Sequence, residues 1–579
     1  MRKFMYICCY LSFYFPIATE AQSFGYSGNG EISSGGSIFV HAVARETPPP
    51  DVINENGFND APLEIIPELV MSSARDDWKR MAKADIDIAL NVKPTIAVAT
   101  NVIMFLGDGM GVSTVTAGRI LKGQQQNKTG EETVLSFDKF PHVALSKTYN
   151  QDAQTPDSAA TATAFLCGVK ANLGTIGLDG RARRNNCTSA GQDTHVTSIL
   201  DWSLAEGKSV GVVTNTRVTH ATPAALYAHV PERDWEGDSK LEPTAACRDI
   251  ALQLIDDNID IHVIMGGGRK FFLKENDTDP EESRLKGTRK DNRNLIEAWQ
   301  KQQQLKGRKF DFITNSSQLK NLNPDETDYL LGLFAYDHMA YEIDRTDKEP
   351  SLAEMTDKAI RILRKNPKGY FLLVEGGRID HGHHDSKPAK ALHDLVAFDD
   401  AVAKGTELTN EQDTLIVTTA DHSHVFSIAG YPTRGNPIFG LVDDTKGGFL
   451  LANDNKTFTT LVYGNGPGHN ISHSRQNLTN ADTIENKEYI SQSAVPLDSE
   501  THGGEDVAIF ARGPMSHLFH GVHEQHYIAH VMAYASCVGD YRADKDCAKS
   551  QVKPSNINGS SVVRISFVLL VMICLLVTV

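Results

Sequence analysis

What most constrains the fold of this chain is a series of short apolar runs, each followed by glycine or an acid. They are TIAVATNVIMFLGDG, SVGVVTNT, IDIHVIMGGG, GYFLLVEGG, DTLIVTTADHSH and DVAIFARG. Runs of this length and composition read as buried parallel strands. Helical segments separate them, so the alternation predicts βαβ units. The expected class is α/β, a central and mostly parallel sheet with helices on both faces. From about residue 430 to 497 the pattern changes to Gly, Pro, Asn and Thr with shorter strand-like runs, which predicts a partly β insertion. A helix is also expected in SSARDDWKRMAKADIDIAL, from Ser72.

Both ends carry processing patterns. Residues 1–21, MRKFMYICCYLSFYFPIATEA, have the basic start, apolar stretch and small residues of a secretory signal peptide. Residues 22–62 are rich in Gly, Ser, Asn and Pro and predict a flexible extension. The chain closes on ISFVLLVMICLLVTV, preceded by the small-residue stretch SNINGSS. Small residues, a spacer and an apolar terminus form a GPI-attachment signal, with Asn558 the best site within residues 551–561 and residues 562–579 removed. A tail-anchored helix is the alternative. The expected location is the extracellular face of the plasma membrane.

Cysteine usage agrees with an oxidising compartment. Of eight cysteines, Cys8, Cys9 and Cys574 fall in the terminal signals and five remain. Cys187 with Cys247 and Cys537 with Cys547 suit disulfides, leaving Cys167 as a buried thiol. Glycosylation sequons stand at Asn127, Asn186, Asn276, Asn315, Asn455, Asn470, Asn477 and Asn558. A net charge of −16 argues against a nucleic-acid-binding surface.

The chemistry lies just beyond the strands. NVIMFLGDGMG ends in Asp108. GYFLLVEGGRIDHGHHD supplies Glu375, Asp380, His381, His383, His384 and Asp385. DTLIVTTADHSHVF supplies Asp421, His422 and His424, and THGGED offers His502. In an open α/β sheet the carboxyl ends of the strands share one edge, so these groups converge. Bunched carboxylates repel, and cations are the natural reason to gather them. Imidazole with carboxylate suits Zn²⁺, whereas carboxylate, hydroxyl and water suit Mg²⁺. Two close divalent ions and a hydroxyl nucleophile are equipment for phosphoryl or sulfuryl transfer. Arg233, between two acids in HVPERDW, suits a bidentate grip on the transferred group. In TPDSAATATAFLCG, Ser158 reads locally as a helix cap and, in this company, also as the nucleophile.

The motifs NVIMFLGDGMGVSTVTAGRILKG, TPDSAATATAFLCGVK, TRVTHATPAALYAHVPERDW, FLLVEGGRIDHGHHD, TTADHSHVFSIAGYPTRG and SAVPLDSETHGGEDVAIFARGP resemble the alkaline phosphatases, most closely the animal, GPI-anchored type. The resemblance runs in order from about residue 64 to 550 and implies a catalytic domain at 63–550, with 430–497 as the family's crown. It implies a phosphate-monoester hydrolase of broad substrate range, two zinc ions and one magnesium ion per subunit, and a homodimer. Asp380, His384 and His502 would hold the first zinc. Asp421, His422 and Ser158 would hold the second, with Asp108 bridging to a magnesium that Thr222 and Glu375 complete. His220 and His424 would stand behind the ligands, and Arg233 would bind phosphate. The two disulfides match the family's, and Tyr431 matches a tyrosine that reaches the partner's site. A fourth, calcium site in many animal members matches Glu281 and Phe334, with Glu349 in place of an aspartate. Ala335 replaces a glutamate there, which predicts weakened calcium binding.

The resulting expectation is a two-step displacement. Ser158 attacks phosphorus, water hydrolyses the phosphoserine, and the optimum is alkaline. A phosphodiesterase of the same superfamily usually carries a threonine nucleophile. A sulfatase carries a C/S-x-P-x-R context that is absent at Ser158. A catalytically dead surface protein would not need the full ligand set.

Overall fold

The computed structural model describes residues 75–241, 247–469 and 474–544, together with Cys547. The signal peptide, the extension, the attachment segment with Asn558 and the apolar tail lie outside the described residues. So does the sequon at Asn470. The chain divides into units of residues 1–78 and 79–579, and the sheet and its cores belong to the second. The amphipathic helix read from Ser72 forms as Arg75–Asn91 and buries none of its residues.

In chain order the strands are β1 (Asn101–Gly107), β2 (His142–Lys147), β3 (Ser209–Arg217), β4 (Val263–Gly267), β5 (Phe310–Ile313), β6 (Tyr329–Leu333), β7 (Tyr370–Gly376) and β8 (Thr414–Ala420). After them come β9 (Ser423–His424), β10 (Phe426–Ile428), β11 (Leu461–Gly466), β12 (Ser493–Pro496), β13 (His502–Gly503), β14 (Val507–Arg512) and β15 (Gly521–Glu524). Ten of them form one sheet in the order β15-β2-β14-β8-β1-β7-β3-β4-β6-β5. The central strands β1, β3, β7 and β8 are nearly continuous in burial, as a sheet covered on both faces requires.

Alternation along β1 divides the interior. Val102, Met104 and Leu106 enter one core with Phe165 and Leu166 of the helix Ser158–Cys167. Ile103 and Phe105 enter the other with Leu352, Met355, Ile360, Leu395 and Phe398, from the helices Leu352–Leu363 and Pro388–Glu407. A period of two on the strand thus places helices on both faces. Between residues 430 and 497, β11 joins the small sheet β10-β11-β12 above a satellite core of Phe426, Ile438, Leu461 and Tyr463.

One strand corrects the sequence reading. DVAIFARG was expected to run parallel, but β14 is antiparallel to both β8 and β2. Its burial alternates, with Val507, Ile509 and Ala511 buried, the signature of a strand with one covered and one open face. The reversal has a consequence for the site: the start of β14, not its end, lies at the carboxyl edge of β8.

Candidate active site

Three acids leave the sheet side by side. Leu106 of β1 pairs with Glu375 of β7, and Gly107 pairs with Gly376 and with Ala420 of β8. Asp108 and Asp421 therefore sit level with each other, with Glu375 two residue steps behind them. All three are fully buried. The antiparallel β14 then brings in His502 from its N-terminal side, where β13 pairs His502 with His424 of β9. The turn after β1 needs Gly109: its φ is +72°, and a Cβ there would lie 2.4 Å from His424 Nε2. Its N–H donates to Asp421 Oδ1 at 3.0 Å.

Ser158 is not a helix cap. Asp157 caps the helix Ser158–Cys167 by accepting from Ala160 N at 3.3 Å, and Ser158 is its first helical residue. A Pro-Asp-Ser start contains two good caps, and the aspartate takes the role. That frees the serine: Ser158 Oγ lies 3.4 Å from Asp108 Oδ1 and 3.3 Å from His422 Nε2. Thr161, one turn on, points Oγ1 at Asp421 Oδ2 at 3.4 Å. Arg233 pairs with neither flanking acid. Its Nη1 donates to Asp157 Oδ2 at 3.1 Å, and Nη2 lies 3.3 Å from His220 Nε2. Neighbouring Glu232 instead takes Arg184.

Around Asp380 the imidazoles are oriented by what stands behind them. His384 Nδ1 faces the carbonyl of Glu500 at 2.6 Å, His502 Nδ1 faces the carbonyl of Pro156 at 2.7 Å, and His424 Nδ1 faces Glu500 Oε2 at 2.6 Å. Oxygen acceptors place a proton on each Nδ1 and turn each Nε2 inward. All three Nε2 atoms surround Asp380 Oδ1, at 3.3 Å for His384, 2.9 Å for His424 and 3.3 Å for His502. His384 Nε2 and His502 Nε2 are 3.0 Å apart. Burial pushes His384 down to about 4, so its Nε2 is a lone pair at neutral pH. Burial also opposes charge on His424, but the Glu500 and Asp380 carboxylates carry it up to about 10. His424 is thus a charged bridge between acids.

The second grouping is Asp108, Asp421 and His422, whose donor atoms lie within 4.8 Å of one another. His422 Nε2 is 3.1 Å from Asp421 Oδ2 and 3.4 Å from Asp108 Oδ1. Beside it Asp108 joins Glu375 and His220. There Asp108 Oδ2, Glu375 Oε1, Thr222 Oγ1 and His220 Nδ1 are buried without hydrogen-bond partners. Burial, with the neighbouring acids, raises the Asp108 carboxyl well above its ordinary range, and burial lifts Glu375 to about 7. Orphaned buried oxygens are rare, and an oxygen-binding cation satisfies them.

A third grouping, His220, His338 and His381, is different. A guanidinium reaches each ring, Arg233 for His220, Arg217 for His338 and Arg378 for His381. These imidazoles serve as acceptors for arginines. The residues matched to calcium do not fit it either. Glu281 accepts from Thr314 and Asn315, Glu349 accepts from Ala340 N, and position 335 has no carboxylate. Tyr431 is 94% exposed in the single chain. Cys187–Cys247 and Cys537–Cys547 form disulfides, and Cys167 is a buried free thiol whose ionisation burial opposes. Among the described sequons Asn315 is half-buried, and Asn127, Asn186, Asn276, Asn455 and Asn477 are exposed. Sequence reading passed over Asp157 and Glu500, although both stand in quoted motifs. An acid next to Ser158, and another two residues before His502, was the available signal.

Residues 99–538 match the profile of the family described as alkaline phosphatase. The chain belongs to the alkaline phosphatase family. Tissue-nonspecific alkaline phosphatase of Rattus norvegicus is 54% identical over 474 residues, covering 80% of this chain and 88% of the relative. The human enzyme of that name is 54% identical over 471 residues, with the same coverage. An alkaline phosphatase of Gadus morhua is 52% identical over 474 residues, covering 80% and 98%. Among solved structures, alkaline phosphatase from Thermus thermophilus superposes with a TM-score of 0.54 at 22% identity, covering 77% of this chain and 93% of the other. The cold-active alkaline phosphatase of Shewanella sp. gives 0.52 at 25% identity, covering 75% and 99%. The chain is therefore a metal-dependent phosphoric monoester hydrolase, and the ten-stranded sheet is the family's fold.

Proposed function

We propose that this alkaline phosphatase hydrolyses a broad range of phosphate monoesters through a phosphoserine at Ser158. In this reading Asp380, His384 and His502 hold one zinc ion and Asp421, His422 and Ser158 a second. Asp108, Glu375 and Thr222 hold magnesium. The observation that carries it is the inward convergence on Asp380: imidazole Nε2 atoms 3.0 Å apart and a carboxylate oxygen at 3.3 Å from each. Lone pairs and a negative oxygen at that spacing repel unless a cation lies among them. Bound there, divalent cations supply Lewis acidity and offset the charge of the acids.

The chain's own groups do the rest. Ser158 Oγ gives its proton to solvent and attacks phosphorus, the ester P–O bond breaks, and the alcohol leaves with a proton from solvent. Water then attacks the phosphoserine, the Oγ–P bond breaks, Ser158 Oγ takes up a proton released by the water, and inorganic phosphate departs. Arg233, held against Asp157 and His220, grips two non-bridging oxygens. The first N–H groups of the helix Ser158–Cys167 face the same anion. The patterns at residues 1–21 and 551–579 further support secretion and GPI anchoring at the outer membrane face, and Tyr431 supports a homodimer.

The test is turnover of an aryl phosphate monoester and the matching diester by soluble protein ending before Ser555, with and without a zinc chelator. Chelator-sensitive monoesterase at least about a hundredfold above diesterase is expected, and Ser158→Ala should lower it by about a thousandfold or more. A metal-replete Ser158→Ala protein with near-normal turnover would refute the nucleophile.

A further inference from the structure

We propose that Glu500 is a positioning residue of the Asp380 site, a group through which His384, His424 and the segment carrying His502 are set in register. The proposal rests on the reading that this site takes zinc. Glu500 comes from the chain just before β13, two residues ahead of His502, and its side chain is fully buried. A buried carboxylate costs several kcal/mol unless its oxygens are satisfied, and here both are. Oε1 accepts from Val425 N at 2.8 Å, and Oε2 from His424 Nδ1 at 2.6 Å. The side chain thereby pins the strand entering His502 to the strand leaving His424.

The main chain of the same residue grips a different element. Glu500 N donates to the carbonyl of His384 at 3.0 Å, and Glu500 O accepts from His384 Nδ1 at 2.6 Å. His384 ends the helix Arg378–His384, so one residue joins three separate segments behind their inward nitrogens. Backing groups of this kind fix tautomer and ring orientation, and their loss typically weakens metal binding about 10- to 100-fold. The carboxylate is the right group because both neighbours are N–H donors. Glutamine has the same shape but must turn its NH₂ towards either Val425 N–H or His424 Nδ1–H.

The experiment measures zinc binding by the metal-stripped full chain against a competing chromophoric chelator, beside the thermal midpoint of the metal-free protein. Glu500→Gln is expected to weaken one of the two zinc ions about 10- to 100-fold, leave the other within about threefold, and move the metal-free midpoint by only about 2 °C. His424→Asn should weaken the same ion, and adding Glu500→Gln to it should cost little more. Wild-type zinc affinity in either folded variant overturns the proposal, as does an equal loss at both ions. A wild-type chain that takes no zinc refutes the underlying reading of the site instead.

Discussion

Asp157 and Arg233 are joined at 3.1 Å, and the same carboxylate caps the helix that begins with Ser158. Its other oxygen, Oδ1, also accepts from Gly174 N at 3.0 Å and Asn150 Nδ2 at 3.2 Å. One buried acid therefore positions both Ser158 and Arg233, the proposed nucleophile and the proposed phosphate ligand. Its charge is held by Arg233 and backbone donors, which overcome burial and keep its carboxyl below the usual range.

Asp157→Ala should loosen both partners at once. Loss of the cap costs about 1 kcal/mol of stability. Release of Arg233 should weaken inhibition by inorganic phosphate by roughly five- to tenfold, read as the Ki in steady-state assays. Asp157→Ser, which restores a cap but no charge, should recover the thermal midpoint and leave the phosphate Ki high. Recovery of both would place the effect in the helix alone.

Thr222→Val separates the cation sites. Thr222 Oγ1 is buried near Glu375, so the variant exchanges one oxygen of this cluster for a methyl of similar size. The magnesium concentration for half-maximal activation should rise about tenfold or more, a scale seen even for outer contacts of metal sites. Zinc content, measured by elemental analysis, should stay at its wild-type value. A fall in zinc with unchanged magnesium activation would contradict this division of the site.

Calcium should act as a bystander. Glu281 and Glu349 already have protein donors, and Ala335 contributes no carboxylate. A cation that binds only the folded state raises the melting temperature by mass action. With zinc and magnesium saturating, millimolar calcium should shift Tm by less than about 1 °C. A rise of several degrees would show a site built from other ligands.

The central strands were legible because β1, β7 and β8 are buried on both faces and read as unbroken apolar runs. The flanking strands were not. HVALSK of β2 and GVHE of β15 carry half-exposed polar residues, and FDFI of β5 is too short to stand out. The direction of β14 was hidden for another reason: strand polarity depends on which neighbours it meets, Thr419 and Ser146 being far from it in sequence. The same holds within the site. Asp380 and His384 share a helical turn, so their meeting follows from spacing four residues apart. Glu500 stands two residues from His502, but it reaches Val425 and His384 only through the fold.

Lys208 gives the fold a pH dependence of its own. Its Nζ donates to the carbonyls of Thr100 at 2.7 Å and Lys368 at 3.1 Å, and burial lowers its pKa to about 8 from an ordinary 10.5. The charged form is thus disfavoured in the folded state. That cost is complete below pH 8, shrinks as pH rises towards 10.5, and vanishes above it. A shift of this size corresponds to about 3 kcal/mol as an upper figure. Wild type should therefore gain stability relative to Lys208→Met as pH rises through this window. Urea midpoints at several pH values, with metals saturating, measure it. The two carbonyls stripped of donors offset the variant by a constant amount, so the slope isolates the ionisation. Parallel curves for the two proteins would show that Lys208 is charged in the fold at alkaline pH.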